Sequence, residues 1–107
     1  MLDPKTARTA IFLAKAYDHK IRRAIIELLM NNPSGLYVAD IYLHPSMAKN
    51  NRPMEQSLCS QHLTWLRKYK IVNTERQGRQ IKYSISTETV KRAGDLMKQL
   101  AQLAKAA

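Results

Sequence analysis

Apolar residues recur at the helical interval in the first third of the chain. Between residues 19 and 31 they follow the i, i+4, i+7, i+8 spacing of one buried helix face: Ile21, Ile25, Leu28 and Leu29. The alanine-rich stretch of about residues 5–17 has a weaker apolar pattern and predicts an earlier helix. Asn-Pro-Ser-Gly at residues 32–35 predicts the end of the second helix. The pattern therefore predicts two consecutive helices at the start of the chain.

The next segment is shorter and less regular. Residues 36–43 form an apolar run that is too brief for periodicity to separate helix from strand. We interpret Leu36 as a strand residue and Val38 to Leu43 as a short helix. Residues 44–53 contain two prolines and two asparagines, which predict a loop or an exposed turn.

The helical interval returns over about residues 55–69 and then gives way to the interval of two that strands require. A helical wheel places one buried line of side chains at Cys59, Leu63 and Leu66. Four further residues lie beside that line: Leu58, His62, Trp65 and Tyr69. Two strand-like runs then flank Gln77-Gly78-Arg79, which is a hairpin signal. We therefore predict a helix followed by a β-hairpin over about residues 71–85.

The last predicted helix covers about residues 87–105, and either Ser86 or Thr87 can cap its N-terminus. Its apolar residues recur along one side in a wide stripe: Val90, Ala93, Leu96, Met97, Leu100, Leu103 and Ala104. A stripe this wide is more than one small core needs, so it suggests a dimer interface.

Length and charge narrow the class of partner. The 107 residues are the size of a single domain, which we take to span residues 1–107. Eighteen Lys and Arg against eight Asp and Glu give a net charge of +10, which favours association with a polyanion. We expect nucleic acid as the partner, with an anionic membrane surface second and a merely solvated basic surface as the alternative. No apolar run is long enough to cross a bilayer and the N-terminus lacks signal-peptide features, so we expect a cytoplasmic protein.

Few residues offer catalytic or metal chemistry. Cys59 is the single cysteine, which excludes an intramolecular disulfide and a multi-thiolate metal site within one chain. It is either an oxidisable sensor or, as we favour, an inert buried residue. The three histidines lack ligand spacing: His19, His44 and His62. Without a phosphate loop, paired carboxylates or a Ser/His/Asp set, we expect no enzyme activity, no cofactor and no metal.

The side of the 55–69 helix opposite the buried line carries mainly short or amide side chains: Gln56, Ser57, Ser60, Gln61, Thr64 and Lys68. Such side chains suit the floor of a DNA major groove, where Gln pairs with adenine and Ser or Thr meets donors or acceptors. Arg67, Lys68 and Lys70, at the C-terminal end of the helix, would contact phosphates, which orient a protein without carrying sequence information. The ordinary polar face of any surface helix is the alternative explanation.

The order of helix, turn, helix and basic hairpin is that of a winged helix-turn-helix. The segments SQHLTWLR at residues 60–67 and ERQGRQIKYSI at residues 75–85 resemble the recognition helix and wing of the ArsR/SmtB family of bacterial repressors. DHKIRRAIIELL at residues 18–29 resembles the family's second helix, so the likeness covers most of the chain. It implies a mainly α fold of about five helices with a small β-hairpin wing.

The resemblance also implies which residues bind. The family contacts operator DNA through the first half of the recognition helix, which holds Gln56, Ser57, Ser60 and Gln61 here, with Thr64 as a further candidate. The wing residues Arg76, Gln77 and Arg79 would meet the minor groove or its phosphates. Dimerisation through the first and last helices would let two copies bind the half-sites of a roughly palindromic operator. The expected function is a homodimeric, sequence-specific DNA-binding repressor.

Two features depart from the family. The thiol-containing sensor motif of the third helix and the histidine of the last-helix metal site are absent, so we predict a member that does not sense metals. The turn between the two helices is longer by about six residues, and its Lys49 and Arg52 either contact phosphates or are only solvated. Two other functions stay open: a winged-helix module that binds a partner protein, and a nonspecific basic DNA-binding protein. We assign no small-molecule effector.

Overall fold

The computed structural model describes residues 3–106 and contains five α-helices, a 3₁₀ turn and three strands. The helices are α1 (Pro4–Asp18), α2 (Lys20–Met30), α3 (Val38–Tyr42), α4 (Gln56–Lys68) and α5 (Thr87–Ala106), and the 3₁₀ turn is Pro45–Met47. The strands are β1 (Leu36–Tyr37), β2 (Val72–Gln77) and β3 (Gln80–Ile85). The predicted fold is confirmed, with element bounds close to those that the sequence indicates.

Polar side chains define where three helices begin. Asp3 caps α1, because its Oδ1 accepts a hydrogen bond from the Lys5 amide at 3.2 Å. His19 separates α1 from α2 and caps the second helix through its Nδ1, which accepts from the Ile21 amide at 3.2 Å. Ser86 is the cap of α5, since its Oγ accepts from the Thr89 amide at 3.2 Å. Each cap satisfies an amide that the helix itself leaves unpaired.

The main core lies where α2, α3 and α4 meet the sheet. Its largest residues have less than 2% of their surface exposed: Ile25, Leu29, Ile41, Cys59, Leu63, Leu66 and Ile71. A second, smaller cluster joins α1 to α5 through Ala10, Ala93 and Leu96. Ala16 of α1 belongs to the main core and Leu13 packs against both clusters, so α1 connects α5 to the rest of the fold.

The sheet joins the predicted hairpin to the helices. β2 pairs with β3 in antiparallel register from Val72 opposite Ile85 to Gln77 opposite Gln80. β1 adds to the other edge of β3, with Leu36 opposite Tyr83, which confirms Leu36 as a strand residue. The hairpin is thus attached to the core on both sides, through β1 and through the end of α4.

The segment of residues 44–53 is more ordered than a simple loop. Met47 is buried and anchors the 3₁₀ turn. Asn50 and Asn51 then have φ values of 55° and 62°, as at the centre of the tight turns that close hairpins. Lys49 and Arg52 bond to each other through both backbone groups, at 2.9 and 3.0 Å. The long turn therefore ends in a small hairpin turn with a cation on each side.

Apolar surface stays exposed along α1 and α5. The inner side of the α5 stripe packs against α1, whereas Met97, Leu100 and Leu103 are 58%, 42% and 60% exposed. Ile11 on α1 is 54% exposed. Within residues 3–106, no helix combines the length and the apolar character that crossing a membrane requires.

Candidate nucleic-acid interface

The orientation of α4 is fixed by its buried face. Cys59, Leu63 and Leu66 have no exposed surface, as the helical wheel predicts. The chain turns tightly at the end of α4, because the Ile71 amide donates a hydrogen bond to the Leu66 carbonyl at 2.9 Å. The polar side of α4 is consequently held towards solvent.

All six residues predicted on the polar face of α4 are exposed: Gln56, Ser57, Ser60, Gln61, Thr64 and Lys68. Thr64 differs from the others because its Oγ1 donates to the Ser60 carbonyl at 2.8 Å. Within residues 3–106, the two glutamines and two serines make no side-chain hydrogen bond, so their donors and acceptors are available to a ligand. The structure therefore leaves Thr64 mainly its acceptor capacity.

The predicted phosphate contacts on α4 lie at its other end. Arg67 and Lys68 are exposed in the last turn, where positive charge also interacts favourably with the helix dipole. Ser60 and Arg67 are separated by roughly 10 Å along the helix axis at 1.5 Å per residue. Across a groove from Arg67 lie the first turns of α1. The predicted base contacts in the first half of α4 and the predicted phosphate contacts Arg67 and Lys68 therefore occupy distinct regions of the surface.

The wing, which is the β2–β3 hairpin, exposes the three predicted residues Arg76, Gln77 and Arg79. Gly78 at its tip has a φ of 64°, a conformation that glycine adopts without a side-chain clash. Arg76 Nε donates to the Gly78 carbonyl at 3.2 Å. The Gln77 side-chain oxygen accepts a hydrogen bond from the Tyr37 hydroxyl, which fixes it against β1. Among residues 3–106, no carboxylate lies within ion-pair distance of Arg79, which is exposed at the tip.

The sequence did not predict the contacts that hold α4 against α1 and α2. The Arg22 guanidinium lies 4.0 Å from the centre of the Trp65 ring, within cation–π range. Trp65 packs against Tyr69 at 4.5 Å, and Tyr69 stacks on Phe12 at 4.2 Å. Trp65 is thus a packing residue, and this aromatic column ties α4 to both α1 and α2. The contacts of Arg22 with Trp65 and of Phe12 with Tyr69 have no sequence signal, because each joins residues far apart in the chain.

Two titratable groups inside α4 are tuned by burial. Burial raises the pKa of the Cys59 thiol to about 11, so the thiol stays neutral and unreactive near neutral pH. Burial also lowers the pKa of His62, with smaller contributions from His19 and from Arg22. The two imidazole rings are 4.6 Å apart. The Cys59 thiol and the His62 imidazole therefore both favour the uncharged form.

Metal-binding side chains do not gather in the described part of the chain. Among residues 3–106, no group of three or more His, Cys, Asp or Glu is placed to hold a metal ion.

Known proteins with similar sequences and structures are transcriptional regulators. No family model matches the chain. The transcriptional activator HlyU of Vibrio cholerae is 30% identical over 96 residues, which are 90% of this chain and 81% of that protein. The solved structure of HlyU from the same organism has a TM-score of 0.64 at 28% identity and covers 94% of this chain and 97% of that chain.

Two further structures extend the comparison. NolR from Sinorhizobium fredii is 26% identical, with a TM-score of 0.60, and covers 92% of this chain and 93% of its own. An ArsR family transcriptional regulator has a TM-score of 0.72 at 17% identity, covering 99% of this chain and 97% of its own, and shows the fold alone.

The α2–α3–α4 unit with its β2–β3 hairpin defines a winged helix-turn-helix protein. The likeness to HlyU covers almost the whole chain and agrees with the recognition-helix and wing motifs. The chain belongs to the ArsR/SmtB family of winged-helix transcriptional regulators.

Proposed function

We propose that this regulator is a homodimeric, sequence-specific DNA-binding repressor that binds a roughly palindromic operator. One observation carries the proposal. The side of α4 opposite its fully buried face presents uncharged hydrogen-bonding groups to solvent, mainly in the first half of the helix. A helix of this kind fits the major groove, where base edges offer a distinct pattern of donors and acceptors for each base pair.

Base contacts are assigned to the first half of α4. The side chains with free donors and acceptors are those proposed to contact base edges: Gln56, Ser57, Ser60 and Gln61. Gln61 is the strongest candidate, because an amide can bond to adenine through two atoms at once. Thr64 contributes an acceptor or its methyl group, since its hydroxyl proton is already given to Ser60.

Phosphate contacts are assigned to the cations around that face. On the wing these are Arg76 and Arg79, with Gln77 as a neutral partner, and on α4 they are Arg67 and Lys68. We add the hairpin turn of Lys49 and Arg52, because it directly precedes α4 and holds both residues in a defined geometry. These contacts strengthen binding to any duplex through counterion release, and the net charge of +10 has the same effect.

The dimer is proposed from the exposed apolar residues of α1 and α5, which a second copy would cover. A two-fold axis then presents two α4 helices to successive half-sites, which is why we propose a palindromic operator. The regulator would act in the cytoplasm by binding, with no catalytic step. Repression follows if the bound dimer excludes other proteins from the same stretch of duplex.

The test begins with selection of duplexes from a random library by the purified protein. The selected duplex is then titrated with Gln61→Ala and Arg79→Ala over a salt series. We expect Gln61→Ala to cost about 1 to 3 kcal/mol on the selected duplex and little on a scrambled one. Arg79→Ala should weaken both duplexes evenly and reduce the slope of binding against salt.

A matched control removes a glutamine elsewhere. Gln99 is exposed on α5, so Gln99→Ala makes the same chemical change away from the proposed interface and should bind like the parent. Binding without any enriched sequence would indicate a nonspecific protein. Failure to bind duplex DNA at all would favour a protein-interaction module. A promoter fusion that loses expression when the protein is removed would make it an activator, as HlyU is named.

A further inference from the structure

A basic groove of about 570 Å³ opens between the first turns of α1, the end of α4 and the start of α5. Six cationic residues line it: Lys5, Arg8, Arg67, Lys68, Lys70 and Arg92. Glu88 is the one carboxylate in the lining, and it is paired with Arg92 at 2.8 Å. Within residues 3–106, the other five cations have no carboxylate within 4.0 Å. The groove thus concentrates positive charge that the protein itself does not neutralise.

The cations of the groove come from separate parts of the chain. Lys5 and Arg8 belong to α1, the next three lie at or just after the end of α4, and Arg92 is on α5. Folding therefore brings like charges together, and their repulsion is relieved when an anion binds between them. Arginine side chains also offer paired donors that match the oxygen atoms of phosphate and carboxylate groups.

The remaining walls fit a small molecule. The Phe12 and Tyr69 rings, stacked at 4.2 Å, give the groove an apolar side. Thr89 lies at its edge, where its hydroxyl donates to the Lys70 carbonyl at 2.7 Å and connects α5 to the end of α4. The volume lies within the range of small-molecule sites in proteins, roughly 300 to 1,000 Å³. A concave, cationic site with one apolar wall suits a compact anion.

We propose that the basic groove binds a small anion with two or more phosphate or carboxylate groups, and that this anion competes with operator phosphates for Arg67 and Lys68. The first half is independent of DNA. The second half rests on the proposed function, which assigns those two residues to phosphate contacts. Occupied by the anion, the groove lowers the affinity of the regulator for DNA, because the shared cations serve one ligand at a time.

The groove and the proposed dimer surface lie on different parts of α5. Glu88 and Arg92 are in its first two turns, whereas the exposed apolar residues begin at Met97. Met97 lies five residues after Arg92, which is about 7.5 Å along the helix axis. On α5, the groove lining and the exposed apolar stripe therefore do not share a residue.

The binding test uses pyrophosphate and citrate as probes without DNA, at constant ionic strength. Titration followed by ¹⁵N–¹H correlation spectra should shift amides of α1, the end of α4 and the start of α5, and leave the first half of α4, from Gln56 to Gln61, unchanged. Calorimetry gives the affinity. A preference for pyrophosphate assigns the natural ligand to phosphates, and a preference for citrate assigns it to carboxylates. Shifts spread evenly over all basic surfaces, or no binding, would overturn the proposal.

The test variant is Lys5→Ala/Arg8→Ala. Alanine favours helix, and removing cations from the first turns relieves their repulsion with the positive end of the helix dipole, so folding should persist. We expect at least a tenfold loss of affinity for the probe. The control, Lys20→Ala/Lys91→Ala, removes the same charge from exposed residues outside the groove and should keep the parent affinity. An equal loss in both variants would mean diffuse attraction and no site.

Competition is then measured on the selected duplex. Pyrophosphate or citrate, whichever binds, should weaken the parent for DNA and have about tenfold less effect on Lys5→Ala/Arg8→Ala. Without the anion, the DNA affinity of this variant should match that of the Lys20→Ala/Lys91→Ala control, which has lost the same net charge. An anion that binds but leaves DNA affinity unchanged would overturn the regulatory half alone. If Lys5→Ala/Arg8→Ala weakens DNA binding well beyond the Lys20→Ala/Lys91→Ala control, the groove itself contacts DNA, and the assignment of a separate anion site is overturned. Failure of the proposed function appears separately, as loss of specific duplex binding by the parent.

Discussion

Cys59 illustrates how burial decides the chemistry of one side chain. Ser57 and Ser60, within three residues of it on α4, face solvent, yet the thiol itself has no exposed surface. The neutral thiol is favoured because a thiolate would have to lose its hydration inside the core, and this raises the pKa to about 11. The residue therefore packs the helix that carries the proposed base contacts.

The raised pKa of Cys59 predicts a loss of stability at alkaline pH. Between the ordinary value of 9.0 and the folded value of about 11, the folded state binds the thiol proton and the unfolded state releases it. The free energy of unfolding then falls as the pH rises through this window, by about 2 kcal/mol near pH 10.5. Urea unfolding at pH 8 and at pH 10.5 should show this loss in the parent and a smaller one in Cys59→Ala. Equal losses would contradict the assignment.

Neighbouring residues on α4 show which properties a helical wheel can give. The wheel separates inward from outward positions correctly, because the 3.6-residue period is a property of the backbone. It does not show that Thr64 bonds to Ser60, or that Arg22 covers Trp65. The first depends on a rotamer and the second on the packing of α2 against α4, and neither is encoded in spacing.

Two glycines show how differently the turns constrain the chain. Gly35 precedes β1 with a φ of 96°, and a Cβ there would lie 2.9 Å from the Tyr83 carbonyl oxygen. Gly78 at the wing tip has a φ of 64° and no atom within 4 Å of the same position. Backbone conformation restricts both residues, but tertiary packing restricts only the first.

This difference predicts unequal costs for two identical substitutions. Gly78→Ala should lower the free energy of unfolding by about 1 kcal/mol, the cost of a left-handed conformation for alanine. Gly35→Ala should cost about 2 kcal/mol or more, because the β1–β3 pairing must also move. Thermal unfolding of both variants tests the order, and a Gly78→Ala that is the less stable of the two would contradict the structure.

The long turn shows the limit of composition as a guide. Prolines and asparagines indicate that residues 44–53 do not continue a helix, and they do not. They could not indicate that Met47 reaches the core or that Lys49 pairs with Arg52. Those features require an apolar site to receive Met47 and two consecutive asparagines to adopt positive φ together.

For the whole chain, the exposed apolar surface of α5 predicts a specific dimer. Leu103→Glu places a charge where the proposed partner copy would pack, and it should shift the protein towards the monomer. Gln99→Glu introduces the same charged side chain at an exposed polar position of the same helix and should leave assembly unchanged. Sedimentation at micromolar concentration measures both. A parent protein that is already monomeric, or a Leu103→Glu dimer as tight as the parent, would count against this interface.

Such a dimer would also make regulation by the basic groove a property of the assembly. Each copy carries its own groove next to the end of its own α4. The anion would then weaken binding at both half-sites of one operator. When one α4 dissociates from its half-site, the other is no longer helped by the high effective concentration that a linked second contact provides.

The sequence by itself determined the order of elements, the buried and exposed sides of α4 and the family. These follow from backbone periodicity, from capping and turn chemistry, and from two local motifs. All of these signals involve residues that are close together in the sequence. Only the tertiary structure decided which distant residues meet. Three features depend on how the helices and strands pack: the aromatic column beside α4, the hydrogen bond from Tyr37 to Gln77 and the six cations of the basic groove. Each brings together residues that are distant in sequence, and the spacing of residues along the chain does not specify which of them come close in space.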